Sequence, residues 1–168
     1  DGGPVLATPE YVKMVKTLDA RFTRDGIRDK VRFDLSDNTD AGTSFLATCA
    51  DSLSGIADVF DSHTYIFGYE TPNATVVNWE KRNVAIAGRA GKKHLVGEFG
   101  SNQTVGSSRQ KDIDRYERGV LRARLVLDFF NAGASGVSDW SLLDQYDGRH
   151  DDYQRIQQLG LWRYVKNA

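Results

Sequence analysis

Lys93-His94-Leu95-Val96-Gly97-Glu98-Phe99-Gly100-Ser101 is a short apolar run between a basic segment and a Gly/Ser/Asn cluster, the pattern of a buried β-strand. Its one carboxylate, Glu98, falls where the strand should end. In parallel α/β folds chemistry collects at the carboxyl ends of strands. An acid between Gly97 and Phe99 at such an end reads either as a nucleophile or proton-transfer group, or as a strand-end acid that caps a turn or pairs with an arginine.

The flanking sequence supplies the frame. Upstream, Thr8-Pro9-Glu10 gives a hydroxyl cap, a first-turn proline and a first-turn acid, and Tyr11, Met14, Val15, Leu18 and Phe22 then recur at helical spacing to about Arg24. Val31 to Leu35 alternates as a strand and runs into the polar loop Ser36-Asp37-Asn38-Thr39-Asp40. A helix capped by Thr43 or Ser44 carries Phe45, Cys49, Leu53 and Ile56 on its inner side. Ala57 to Tyr65 is the next strand, and Asn78 opens a helix that stops near Gly88 to Gly91. After the Glu98 strand come a long helix from Gln110 to about Asn131, a strand from Gly136 to Leu143, and a closing helix from Tyr153 to about Val165.

One helix followed by four strand–helix units, with strands about 30–40 residues apart, predicts βαβ crossovers and a parallel sheet. No linker or low-complexity segment interrupts it, so residues 1–168 read as one α/β unit. Helix-first order is how the second half of an eight-stranded barrel begins, just after its fourth strand. Four strands cannot close a barrel, because closure at the usual tilt takes about eight. The choices are half of a barrel or an open four-stranded sheet.

Composition narrows the functions. With 22 basic against 23 acidic residues and a net charge of -1, the 168-residue chain has no electrostatic footprint for nucleic acid or an anionic membrane. No run approaches the ~20 apolar residues needed to span a bilayer. The single Cys49 excludes an internal disulfide and reads as a buried structural thiol; with only three histidines, no Cys/His metal site is expected. Asp1-Gly2-Gly3-Pro4 is neither an initiator methionine nor a signal peptide, so a processed or excised chain is expected. Asn73-Ala74-Thr75 and Asn102-Gln103-Thr104 fit the short N-glycosylation pattern.

Three strand ends together carry a resemblance. Gly97-Glu98-Phe99-Gly100, His63-Thr64-Tyr65 and Ser138-Asp139-Trp140 occur in the order and spacing of strands seven, six and eight of retaining glycoside hydrolases of the (β/α)8 clan. The cellulase-like and β-xylosidase-like families are the nearest. The chain resembles the C-terminal half of such a TIM barrel, strands five to eight with their helices. The resemblance implies that Glu98 is the nucleophile, that Tyr65 and His63 attend it, and that Trp140 floors the sugar site. The clan's acid/base glutamate, in an Asn-Glu sequence at the end of strand four, has no match here and is expected just upstream of residue 1; Glu10 and Glu70 are poor substitutes.

Such an enzyme cleaves β-linked glycans by double displacement, using two carboxyl groups about 5–5.5 Å apart. Glycines at 97 and 100 would let backbone and sugar approach closely. Tyr65 could donate a hydrogen bond to Glu98, and His63, on the same strand face by period-two alternation, could orient Tyr65 or bind a sugar hydroxyl. Asp37, Asn38 and Tyr146 are candidate substrate-binding residues, while Asp139 should pair with a helix arginine and Trp79 and Trp162 read as core. No metal or cofactor is required. The expected partners are a carbohydrate substrate and either the missing N-terminal half-barrel or a second copy of the chain; alone, the chain should be inactive. An extracellular or periplasmic location follows from the resemblance only. The alternative is a non-catalytic carbohydrate-binding or interaction module. A phosphate or nucleotide binder is disfavoured because no strand is followed by a G-x-G-x-x-G loop.

Overall fold

The computed structural model describes residues 8–36, 43–67, 73–102, 116–139, 145–146 and 156–157. Strands β1 (Asp34–Leu35), β2 (Val59–Phe67), β3 (Lys93–Asn102) and β4 (Val137–Asp139) form one sheet in the order β1-β2-β3-β4, every neighbouring pair parallel. Helices α1 (Thr8–Arg24), α2 (Thr43–Leu53), α3 (Asn73–Arg89) and α4 (Tyr116–Ala132) each pack on the next. A doubly wound sheet reverses its strand order and carries helices on both faces. Here strand order equals sequence order and the helices form one continuous row, so they lie on one face. That is how successive units of a (β/α)8 barrel run.

The helix-side face of the sheet holds the core. Toward the β1 edge, Val15, Leu46, Cys49 and Leu53 pack with Leu35 and Phe60; toward the β4 edge, Val76, Leu121, Leu125 and Phe129 pack with Ile66, Val96 and Phe99. Aromatic edge-to-face pairs lock both regions, Tyr11 on Phe45 at 5.2 Å and Phe99 on Phe129 at 5.4 Å between centroids. Cys49 is fully buried, and burial pushes its thiol pKa up to about 11. Trp79 packs against the second cluster as core.

Several elements differ from their sequence reading. The first strand pairs over only two residues, because the Asp58 carboxylate takes the Phe33 N–H at 2.8 Å and the Phe33 carbonyl accepts from the Asp58 and Val59 amides. Helix α3 starts at Asn73, ahead of Asn78; the gain is a fully buried Val76, which outweighs the modest helix cost of a β-branched residue. Ile156–Gln157 is not helical but pairs antiparallel with Gln145–Tyr146, setting Ile156 opposite Tyr146, two residue types that suit extended backbone. The remainder of the expected closing helix, including Trp162, lies outside the described residues, as do the Gln110 start of α4's predicted span and residues 140–143 of the last predicted strand.

Beneath the sheet lies a polar cluster that sequence reading passed over. His94 Nδ1 and Glu80 Oε1 are 2.7 Å apart with both side chains buried, and Asn83 donates to Ser62 Oγ at 3.1 Å. Burial raises the Glu80 carboxyl above its ordinary range, against the lowering pull of His94 and Asn83. Among the described residues, no helix is long and apolar enough to cross a membrane.

Candidate active site

Alternation along β2 sends Phe60, Ser62, Thr64 and Ile66 toward the helices and Asp61, His63 and Tyr65 to the opposite face. Strand β3 does not alternate so simply. His94, Val96 and Phe99 are its buried helix-side residues, a step of two and then of three. The pairing shows why: Ser62 faces Val96 but His63 faces Glu98, and on the other side Val96 faces Val137 while Phe99 faces Asp139. Gly97 is the extra residue of a β-bulge. Without it, strict alternation would turn Glu98 into the helix layer beside Val96. With it, Glu98 shares a face with His63 and Tyr65.

The three side chains meet. Tyr65 Oη donates to Glu98 Oε2 at 2.6 Å, and His63 Nδ1 stands 3.3 Å from the same oxygen. Glu98 is 23% and His63 14% exposed, so the carboxylate is reachable yet largely desolvated. Burial raises the Tyr65 phenol far above its usual range, and the Glu98 hydrogen bond and charge raise it further. Tyr65 is therefore held protonated, as the hydrogen-bond donor to Glu98. Asp139 and Arg122 also act on Tyr65 electrostatically, raising and lowering its pKa respectively. Those two form a partly buried ion pair at 2.8 Å, β4 to α4, the helix-arginine pairing expected of Asp139.

The space that glycine leaves at position 97 is not open to a ligand. A Cβ there would lie 1.7 Å from Asp61 Oδ2 and 2.8 Å from Asp61 Cγ, so the Asp61 carboxylate already occupies it. Asp61 is buried on the site face of β2, and its carbonyl accepts from Ser36 Oγ at 2.8 Å. Ser36 follows β1 with φ at 77°, a left-handed conformation uncommon for serine, and its N–H donates to Tyr11 Oη at 3.3 Å.

No protein-family model matches the sequence, and no curated protein does. Solved structures do. An endo-1,4-β-D-mannanase from Thermotoga petrophila superposes with a TM-score of 0.52 at 14% identity, covering 95% of this chain and 48% of its own. A β-glucuronidase from Faecalibacterium prausnitzii matches at 12% identity and a TM-score of 0.45 over 64% of this chain and 19% of its own. The likeness to the mannanase is one of fold. The four β/α units are part of a (β/α)8 barrel, and the chain spans about half the mannanase's length.

Of the residues singled out in the sequence, Glu98, Tyr65 and His63 come together at the carboxyl half of the sheet. Trp140, Asp37 and Asn38 lie outside the described residues, as does Glu70; Tyr146 lies in the short β5 strand (Gln145–Tyr146), which pairs with β6 (Ile156–Gln157) rather than with the main sheet. Glu10 sits in the first turn of α1. Sequence reading missed Asp61, Ser36 and Arg122. The bulge alone had a readable trace, the broken period His94, Val96, Phe99.

Proposed function

We propose that this chain supplies the nucleophile-bearing part of a retaining β-glycoside hydrolase. The observation that carries this reading is the convergence of Tyr65 and His63 on one oxygen of Glu98, in the carboxyl half of parallel strands and on the face away from the helices, although β3 runs on past Glu98 to Asn102 rather than ending there. Glu98 attacks the anomeric carbon through Oε1, the oxygen these two do not hold. The bond from that carbon to the leaving oxygen breaks, and a second carboxyl group protonates the departing alcohol. Water then attacks the same carbon, gives its proton to that second carboxyl, and displaces Glu98 with net retention. Tyr65 aims the nucleophile before attack and stabilises the carboxylate as it leaves in the second step. Residues 1–168 act as one α/β unit in this scheme. The second carboxyl comes from the four β/α units that complete the barrel, in the same polypeptide or in a partner. Trp140, Asp37, Asn38 and Tyr146 bind the sugar, and the site works outside the cytoplasm on β-linked glycans.

A 2,4-dinitrophenyl 2-deoxy-2-fluoro-β-glycoside tests this directly, because dinitrophenolate departs without a proton and the fluorine slows hydrolysis of the adduct. A panel of gluco, manno and xylo probes is incubated with the chain alone and with a recombinant polypeptide carrying the completing units. The expected result is a covalent adduct on the peptide containing Glu98, absent in Glu98→Gln. Sugar binding with no adduct in either mixture would overturn the reading in favour of a carbohydrate-binding module.

A further inference from the structure

Glu98 owes its place to a bulge, and the bulge rests on something. Gly97, the extra residue, lies against the Asp61 carboxylate so closely that no side chain fits between them. Asp61 is 7% exposed, although a carboxylate is costly to bury and a Ser or Ala would fill the same strand position at less expense of solvation. It is also fixed from behind: Ser36, strained at positive φ, donates its hydroxyl to the Asp61 carbonyl, and Tyr11 of α1 receives the Ser36 N–H. A chain of contacts thus runs from α1 through the end of β1 to Asp61, and from Asp61 to the bulge that turns Glu98 to the site face. We propose that Asp61 is a positioning residue for Glu98, its carboxylate seating the Gly97 bulge and thereby setting the alignment of Glu98 with Tyr65 and His63.

The proposal rests on the nucleophile reading for its catalytic consequence but not for its geometry. A bulge one residue long decides which face a side chain takes, since slipping the register by one turns it to the other side. Asp61 need touch no substrate to matter. If it is removed, Glu98 keeps its chemistry but loses its address. A misplacement of about 1 Å is enough to cost roughly 100-fold in rate.

Two readouts on the 168-residue chain separate the parts of the argument. The first is the hydroxyl proton of Tyr65 in NMR, downfield and slow to exchange while it is held by Glu98; Tyr65→Phe assigns it. The second is the trapping of Glu98 by the fluoroglycoside probe, resolved into the binding constant Ki and the rate constant of inactivation. In Asp61→Ala, with the fold verified by circular dichroism, the Tyr65 hydroxyl signal is expected to vanish. The inactivation rate constant should fall about 100-fold with Ki within threefold. Gly97→Ala, which pushes the same contact from the other side, should do likewise, and Ala at both positions should recover part of the loss because the vacated space admits the new methyl. Should Asp61→Ala not fold, Asp61→Ser vacates the same space and carries the same expectation. A folded Asp61 variant that keeps the hydroxyl signal overturns the proposal, whatever the trapping gives. If the wild-type chain is labelled neither alone nor with the completing units but the signal still disappears in the Asp61 variant, the nucleophile reading fails and the positioning role of Asp61 stands.

Discussion

Tyr65→Phe removes one oxygen from the site and leaves the ring. The hydroxyl donates to Glu98 Oε2 at 2.6 Å, a charge-assisted bond in a site where the acid is 23% exposed. Such bonds contribute about 1.5–3 kcal/mol, and partial exposure places this one toward the lower end. The two steps of a double displacement should feel the loss differently. In the first, a less stabilised carboxylate is more nucleophilic but less well aimed, and the effects offset. In the second, Glu98 is the leaving group, and losing about 1.4 kcal/mol of carboxylate stabilisation slows departure about tenfold. The assay is release of the trapped fluoroglycosyl adduct by azide, which needs no proton removed and so reads the Glu98 side of the reaction alone. The adduct of Tyr65→Phe should form within about threefold of the wild-type rate and be released about tenfold more slowly. Equal release rates would refute the argument that Tyr65 supports the departing carboxylate. A drop in stability near 2 kcal/mol with no adduct in either protein would instead make Tyr65–Glu98 a structural pair.

Other perturbations address the fold beneath the site. His94→Ala strands the Glu80 carboxyl, which is buried with the imidazole 2.7 Å away, and should cost about 3–5 kcal/mol in urea unfolding. Because burial raises the Glu80 pKa in the folded state, its contribution is full below about pH 4.3, its unfolded value, and declines as pH rises through the raised one; Glu80→Gln should flatten that limb of the stability profile. Asp58 is shifted the other way, held low by the Phe33 N–H and then by Arg32 and Arg28, so its contribution is complete above about pH 4 and lost on further acidification. Asp58→Asn should cost about 1 kcal/mol at neutral pH and progressively less as pH falls below about 4, by thermal unfolding. Cys49, fully buried with a pKa near 11, should react with Ellman's reagent at pH 8 only as fast as the chain unfolds.

The fold was legible because its period-bearing elements are long and its strands recur in step with its helices. Apolar spacing in α1 and α2 and the runs that became β2 and β3 are strong local signals, and they placed four strands in parallel order. What could not be read from spacing were the places where a side chain replaces backbone pairing. Asp58 capping the Phe33 amide shortens β1, and no local pattern marks that. The early start of α3 depends on where Val76 is buried, a tertiary fact, and the Glu80–His94 pair joins residues that are distant in sequence.

The site shows the same division with more consequence. Glu98, Tyr65 and His63 were identifiable as residue types at strand ends, but strand-end position does not say which way a side chain points. Counting by twos from Val96 puts Glu98 in the helix layer, beside Phe129 and Leu125, where an ionised acid would be costly to bury. Only a bulge resolves that conflict, and this one forms at a residue whose missing side chain leaves room for a neighbour. Gly97 leaves that room and the Asp61 carboxylate occupies it. Gly97-Glu98-Phe99-Gly100 is therefore not simply a flexible setting for an acid: the glycine before Glu98 is one half of a contact whose other half lies on the neighbouring strand. An acid preceded by glycine in a strand whose buried positions skip from a step of two to a step of three points to a carboxylate turned out of the core, and the partner to look for sits two residues before the histidine it will face.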